Sequence, residues 1–329
     1  MGDVAMTVPV IKALTEQNPS VRITLVTRPF FASFYENLNR VTVYRVDLNE
    51  NYRGIIGLIK LYKDLSKLNL DAIADLHDVL RTKFIIKLFR ISGYKCYQID
   101  KGRKEKNKLT TPRKSKKLIP LISTHERYAN VFRKLGYPID LSIKYKATQK
   151  EIPRFITKKI KDQKLIGIAP LAAFKSKSLP ENKLKELIEG LNALEGVSII
   201  LFGGGNEQKQ ILESVAAPYK NVLSLVEKIN FKEELDLISN LDVMISVDSG
   251  NGHMAAMYNI PVITIWGVTH PFLGFTPFNQ PMENQILPDL KKFPLIPTSV
   301  YGNSVPEGYL HCFDTLKIND IISATKKYI

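Results

Sequence analysis

Short apolar runs rich in β-branched residues alternate along the chain with amphipathic patterns of helical spacing. Between Gly54 and Leu68, isoleucines and leucines recur every three or four residues, which predicts a helix. Ser123 and Glu126 fit a capping box and predict a second helix that runs through Leu135. The apolar runs predict strands at residues 21–27, 41–48, 71–76, 94–99, 166–170, 197–204, 222–226, 243–248 and 262–267. This alternation is typical of βαβ units on a parallel sheet, so we predict an α/β fold.

A polar, lysine-rich stretch from about Leu141 to Lys164, with Pro153 inside it, interrupts the alternation. We place a linker there and predict two Rossmann-like, doubly wound domains at residues 1–150 and 151–329. A chain of 329 residues has the length of about two domains. Because open parallel sheets bind ligands at the carboxyl ends of their strands, two such domains facing a central cleft suit a ligand that bridges them.

The composition is that of a globular protein, with 44% hydrophobic and 24% charged residues and a mean hydropathy of −0.09. Two cysteines, Cys96 and Cys312, are too few for a disulfide scaffold or a cysteine-based metal site, which favours a reducing compartment. The sequence shows neither an apolar stretch long enough to span a bilayer nor a signal peptide. We therefore expect a soluble, cytoplasmic protein. A net charge of +15 predicts an anionic partner: nucleic acid, an anionic membrane face or a phosphorylated small molecule.

The charge is concentrated in residues 101–117, which carry nine Lys or Arg and one Glu, more than half of the net charge. With Gly102, Pro112 and no apolar periodicity, this segment is predicted to be a mobile connection rather than a helix. It is either a solvated loop or an electrostatic contact for an anionic acceptor or for the inner face of the cytoplasmic membrane. Nucleic acid is disfavoured because the segment has no aromatic residue to stack on bases. The candidate contact residues are Lys101, Arg103, Lys104, Arg113 and Lys114.

The strongest candidate for chemistry is the segment Val247 to Ala256, where a predicted strand ends at Asp248 and a helix begins among small residues. Small residues let backbone amides approach a phosphate, and the helix dipole adds positive potential. Alternatively, Asp248 or Ser249 only caps the helix. His253 is either a packed helix residue or a donor to a diphosphate.

Two further strand ends carry weaker signals. The glycine-rich turn at residues 201–207 leads into a helix at Glu207, which is either a functional carboxylate or an ordinary first-turn acid. Lys175 and Lys177 precede Pro180 at a predicted helix start and are either solvated or suited to a leaving diphosphate. The absence of dinucleotide and P-loop glycine patterns disfavours dehydrogenase and P-loop interpretations.

The chain opens with Gly2 and Asp3 at the start of an amphipathic pattern. A carboxylate in this position is usually a helix cap. Because the other candidate segments suit phosphate, Asp3 is also a candidate general base.

Taken together, GDVAMTVPVIKAL at the start, VDSGNGHMAA near residue 250, the ITIWGVTHP run and the segment around Cys312 resemble the bacterial ADP-heptose:lipopolysaccharide heptosyltransferases, glycosyltransferase family nine. The resemblance covers nearly the whole chain. It implies the GT-B architecture, with an N-terminal acceptor-binding domain, a C-terminal domain that binds a nucleotide-sugar donor, and a last helix that is a candidate to pack back on the N-terminal domain. It also implies inverting transfer of a heptose from ADP-heptose to an inner-core hydroxyl, without metal or other cofactor.

By position, the resemblance makes Asp3 the base that deprotonates the acceptor and Lys177 the cation beside the donor diphosphate. Asp248 would bind the donor sugar.

The same resemblance gives roles to five further residues of the donor domain. Ser249, Gly250 and His253 would surround the diphosphate, Glu207 would reach the ribose, and Ile229 would line the adenine pocket.

The chain departs from the family pattern in three ways. Family members carry a strand before Gly-Asp, whereas here Gly2 directly follows Met1, so the first central strand is expected to be missing. Hydroxyl residues upstream of the diphosphate lysine are replaced by Ala172 and Ala173, and an aromatic before Pro180 is replaced by Leu179. The donor sugar therefore need not be heptose.

Two other interpretations remain open at this point. The first is a protein of the same fold that binds a nucleotide-sugar without turnover, against which the intact Asp3 argues. The second is a basic nucleic-acid-binding protein, which would bind with a steep salt dependence and without need of Asp3.

Overall fold

A computed structural model describes residues 1–113, 116–143, 145, 149–152, 154–157, 160 and 163–329. The chain divides into two compact units. The first unit comprises Met1, Asp3–Arg103 and Ile122–Tyr145, and the second comprises Gly2, Lys104–Leu121 and Lys146–Ile329. In the described part of the chain, no helix is both long and apolar enough to cross a bilayer.

The first half of the chain alternates helices and short parallel strands, as predicted. In chain order the elements are α1 (Gly2–Gln17), β1 (Ile23–Thr27), β2 (Val41–Arg45), α2 (Gly54–Ser66), β3 (Ala72–Asp75), α3 (Leu80–Ile91), β4 (Lys95–Gln98), α4 (Arg103–Thr110) and α5 (Thr124–Leu135). Ser123 Oγ accepts a hydrogen bond from Glu126 N at 3.1 Å and starts α5, and Gly136 ends it in the left-handed conformation.

The strands of the first unit form two separate parallel pairs, β1–β2 and β3–β4, rather than the single doubly wound sheet predicted from the sequence. In the described residues, no strand hydrogen-bonds to both pairs. Most residues of these four strands are consequently only half-buried.

The second unit contains a six-stranded parallel sheet with the order β10-β9-β8-β5-β6-β7. Its strands read as continuous apolar runs because helices cover both faces. Its elements are α6 (Arg154–Thr157), β5 (Lys164–Ala169), α7 (Glu181–Asn192), β6 (Val197–Leu201), α8 (Asn206–Ala216), β7 (Val222–Ser224), α9 (Phe231–Ile238), β8 (Val243–Val247), α10 (Gly250–Met257), β9 (Val262–Ile265), β10 (Gln285–Ile286) and α11 (Ile318–Thr325). The last helix, α11, packs on α7 within this unit. The predicted linker from Leu141 to Lys164 contains α6, and part of it lies outside the described residues.

The prediction of a mobile, non-helical segment over residues 101–117 is wrong, because α4 forms there and two of the lysines are packed. Lys106 is only 6% exposed, and its Nζ lies 3.8 Å from the centroid of the Phe275 ring. Lys116 Nζ donates to the carbonyl oxygens of Leu295 and Pro297, both at 2.6 Å. Cation–π and carbonyl contacts thus fix a segment that lacks an apolar face of its own.

Candidate functional site

The candidate site of the second unit lies at the carboxyl edge of its sheet, where the strand order reverses. The chain proceeds from β5 to β6 and β7 on one side and to β8, β9 and β10 on the other. The switch point between β5 and β8 is where doubly wound sheets bind their ligands. Lys177 follows β5 and Asp248 follows β8, so both flank this point.

Lys177 and Asp248 form an ion pair at this point, with Nζ 2.9 Å from Oδ2. The side chains are 16% and 9% exposed, and Thr269 Oγ1 donates to the same carboxylate oxygen at 2.8 Å. Thr269 was not among the sequence candidates, although it lies in the ITIWGVTHP run, in the loop that follows β9. The structure therefore brings two predicted donor-site residues into direct contact.

Lys177 ends a 3-10 turn, Lys175–Lys177, whose central residue, Ser176, is hydrogen-bonded to two other segments. The hydroxyl of the buried Ser176 donates to the carbonyl oxygen of Gly302, and Ser176 O accepts from Val268 N at 3.3 Å. Gly302 has φ +84°, and a Cβ there would lie 2.7 Å from the Lys177 stem. The position of Lys177 thus depends on a glycine far along the chain.

The first turn of α10 presents backbone amides beside this pair. Ser249 is the N-cap residue, but its hydroxyl lies 3.1 Å from Ser246 Oγ and does not cap α10 in the described structure. Uncapped amides at a helix N-terminus suit an anionic group. Gly250 is the first residue of α10 and is partly exposed, whereas His253 is buried one turn further on.

The opening of α10 also carries a pair that the sequence did not indicate. Asn251 Nδ2 donates to Glu234 Oε1, on α9, at 3.2 Å. Burial raises the pKa of Glu234 to about 7, and the hydrogen bond from Asn251 opposes the shift. Helical spacing alone identifies Glu234 as an ordinary first-turn acid of α9, so no sequence signal distinguishes it.

Glu207 and Ile229 lie further along the same edge. Glu207 is exposed in the first turn of α8, after β6, and Ile229 is half-buried after β7. Within the described residues, no three His, Cys, Asp or Glu side chains are grouped as a metal site.

In the first unit, Asp3 is exposed in the first turn of α1, and its carbonyl oxygen accepts a 3.3 Å hydrogen bond from Tyr128 Oη. His77, which follows β3, lies in the field of this residue. Partial burial lowers the pKa of His77, the nearby Lys101 cation lowers it further, and Asp3 and Asp75 oppose the shift. The sequence candidates Asp3 and Lys101 therefore share an environment with a histidine that was not among them.

The other predicted acceptor contacts differ in their surroundings. Arg103 Nη1 lies 2.6 Å from Asp78 Oδ2, an ion pair that Lys83 joins at 3.3 Å. Lys104 and Arg113 are exposed, and Lys114 lies outside the described residues.

Comparison with known families matches residues 58–294 to glycosyltransferase family 9 (heptosyltransferase). The chain is 24% identical over 293 residues to lipopolysaccharide heptosyltransferase 3 of Escherichia coli (strain K12), a match that covers 82% of this chain and 80% of the relative. It is 30% identical over 115 residues to lipooligosaccharide heptosyltransferase 2 of Haemophilus influenzae. This match covers 33% of this chain and 33% of the relative. The family match includes the donor-edge candidates and begins after Asp3.

Among solved structures, E. coli heptosyltransferase WaaC with ADP superposes with a TM-score of 0.69 at 18% identity. The superposition covers 100% of this chain and 97% of that chain. It confirms the predicted α/β fold as that of the GT-B heptosyltransferases.

Proposed function

We propose that this chain, which belongs to glycosyltransferase family 9, transfers a sugar from an ADP-linked donor to a hydroxyl of a lipopolysaccharide inner core or related glycolipid. Heptose is the sugar we propose, in keeping with the names of its relatives. The observation that carries the proposal is the Lys177–Asp248 pair at the switch point of the second sheet. An enclosed cation and a carboxylate side by side suit the two parts of a nucleotide-sugar, its diphosphate and its sugar hydroxyls.

In this proposal the donor diphosphate lies against the first turn of α10. The amides of Ser249 and Gly250 and the ring of His253 donate to its oxygens, and Lys177 leaves Asp248 to neutralise it. Asp248 then accepts from a hydroxyl of the sugar.

The nucleoside of the donor extends along the β6 and β7 side of the edge. Glu207 accepts from the ribose hydroxyls, and Ile229 contacts the adenine ring. Glu207 follows β6, which neighbours β5, and Ile229 follows β7, the next strand in the sheet, so both lie along the same edge.

The transfer is a direct displacement with inversion. The carboxylate of Asp3 takes the proton of the acceptor hydroxyl, the acceptor oxygen bonds to the anomeric carbon, and the bond from that carbon to the diphosphate breaks. ADP leaves with the bonding electron pair, and Lys177 stabilises the charge that develops on it. Because a protein cation supplies this stabilisation, the proposal includes no metal ion or other cofactor.

Anionic groups of the acceptor contact the basic residues Lys101, Arg103, Lys104 and Arg113. Arg103 makes this contact while still paired with Asp78, since its guanidinium carries five N–H donors.

The first test measures the stability of the second unit with ADP, UDP and GDP, since a ligand that binds only the folded state raises its melting temperature. Stabilisation selective for ADP supports the donor assignment, and a lack of response to every nucleotide contradicts it.

The second test replaces the proposed base. Asp3→Asn is expected to abolish transfer from ADP-heptose to a lipopolysaccharide-core acceptor while ADP affinity stays unchanged, since the base acts in the transition state. Asp320→Asn is the matched control, because Asp320 is also an exposed first-turn acid, on α11. Equal loss of ADP binding in Asp3→Asn contradicts the role of Asp3, and a wild-type protein that binds ADP without turnover favours the binding-protein alternative.

A further inference from the structure

Helix α2 presents aliphatic side chains to solvent on the face opposite its core contacts. Ile55, Ile56 and Ile59 are 66%, 84% and 37% exposed. The rest of this face carries Lys60 and Lys63 of α2 and Lys67, the residue that caps its C-terminus, and all three are exposed. We call these six residues the α2 face.

The isoleucines of the α2 face are not needed for the core. Leu58, Leu61 and Leu65 lie on the opposite side of α2 and are at most 6% exposed, and Leu61 and Leu65 share a core cluster with Phe89. A helix that has already buried one apolar stripe and exposes a second aliphatic group is a candidate for an external apolar partner.

The lysines give the α2 face one sign of charge. Ile56, Lys60, Lys63 and Lys67 follow one another at spacings of four, three and four residues, which places them on one side of the helix. Asp64 is the one acid in the α2 sequence, and it pairs with Lys67 at 3.1 Å. Exposed aliphatic residues beside lysines are the pattern of a helix that lies in a membrane interface.

The neighbouring helix α3 carries a further exposed aliphatic side chain. The two helices are in contact, and the Tyr62 ring of α2 lies 4.9 Å from the Phe89 ring of α3. Ile55 and Leu80 each lie in the first turn of their helix. Leu80 is 86% exposed.

We propose that the α2 face binds the surface of an anionic lipid bilayer, with the isoleucines among the headgroups and upper acyl chains and the lysines on lipid phosphates. If the proposed function holds, this docking brings a lipid-anchored acceptor to the unit that carries Asp3. The docking itself requires neither donor nor acceptor.

A bilayer fits the α2 face better than a second copy of the chain does. A two-fold interface places the same patch on both partners. Lys60 and Lys63 would then face their own counterparts, and like charges in contact oppose association.

The test is flotation with vesicles of phosphatidylethanolamine and phosphatidylglycerol, against phosphatidylcholine vesicles. Ile55→Ser/Ile56→Ser is expected to lower binding to the anionic vesicles at least about tenfold, since each isoleucine loses its apolar contact. The matched control is Ile91→Ser, at the opposite end of α3, where Ile91 is 74% exposed. The control is expected to bind like the wild type.

The charge arm uses Lys60→Gln/Lys63→Gln/Lys67→Gln. A lysine near an anionic surface raises partitioning about fivefold, so the triple change is expected to lower it on the order of a hundredfold at low salt. Phosphatidylcholine vesicles are expected to bind weakly in every case.

Unchanged vesicle binding in both α2 variants overturns the proposal, as does an equal loss in Ile91→Ser. A change of oligomeric state on light scattering without a change in flotation also overturns it and assigns the α2 face to a second copy. ADP affinity is measured on every variant and is expected to stay constant. A wild type that floats through the α2 face but binds no ADP contradicts the proposed function and leaves this inference standing.

Discussion

Removal of the Lys177 charge tests whether the buried ion pair is as tightly coupled as its geometry indicates. Lys177→Met keeps most of the side-chain volume and leaves Asp248, 9% exposed, with Thr269 as its remaining described hydrogen-bond partner. Breaking a buried pair from one side costs about 3–5 kcal/mol. Because Lys177 is itself 16% exposed, we expect the lower end, a loss of about 3 kcal/mol.

The double variant Lys177→Met/Asp248→Asn distinguishes the interaction energy of the ion pair from the packing contribution of each side chain. Asn retains an oxygen for Thr269 and removes the buried charge, so stability is expected to return to within about 1 kcal/mol of the wild type. Both variants are expected to lose ADP affinity, since neither has the cation for the diphosphate. The double variant is thus expected to regain stability but not ADP affinity.

Urea unfolding followed by tryptophan fluorescence measures these differences in the second unit alone. Trp266 is the single tryptophan of the chain, is fully buried, and lies between β9 and Thr269. A loss below about 1 kcal/mol in Lys177→Met, or a double variant as unstable as the single one, would refute the coupling of a buried pair.

Two further perturbations test the surroundings of this pair. Gly302→Ala places a methyl group 2.7 Å from the Lys177 stem and is expected to weaken ADP binding about tenfold, as measured by titration calorimetry. Gly308→Ala is the control, because Gly308 also has a positive φ but an added methyl group there meets nothing within 4 Å. An equal loss of ADP affinity in both variants would mean that backbone strain alone is responsible. Burial, helped by the Lys116 cation, lowers the pKa of His270 from 6.5 to about 4, and its Nδ1 accepts from Phe272 N. As the pH falls, the unfolded chain therefore takes up this proton before the folded chain does, and wild-type stability is expected to fall by up to about 3 kcal/mol between pH 6.5 and pH 4. His270→Asn keeps a hydrogen-bond acceptor for Phe272 N and is expected to remove this part of the pH dependence of stability. Urea unfolding at a series of pH values measures the difference.

The strands β5 to β9 of the second unit were predictable because each is an apolar run with a turn on either side, whereas the two-residue strand β10, Gln285–Ile286, was missed. The donor-edge candidates followed from the same pattern, since Lys177, Asp248 and Ser249 lie at or shortly after the ends of predicted strands. Thr269 also follows a strand, but a threonine there has no distinguishing chemistry until its hydroxyl is seen to reach Asp248 at 2.8 Å. The role of Gly302 depends on a close approach between two loops, which no local pattern encodes.

The basic segment shows a different limit of sequence reasoning. Lys106 and Lys116 were indistinguishable from solvated lysines because the groups that hold them lie far away in the chain, at Phe275 and Leu295. The search for apolar periodicity does not detect α4, because its buried side chains are those of Lys106 and Leu109 and they do not form an apolar stripe.

A net charge of +15 therefore does not measure how strongly this protein attracts anions. Lys177 is neutralised by Asp248, Lys106 rests on an aromatic ring, and Lys116 donates to carbonyl oxygens, with burial lowering its pKa to about 8. The charges still directed at solvent include that of Lys63, beside exposed isoleucines, and Lys60 is also exposed, although its Nζ lies 5.5 Å from the centroid of the Tyr52 ring. Long-range attraction to an anionic surface depends on the exposed charges and is screened by salt, so it should follow the α2 face more closely than the composition.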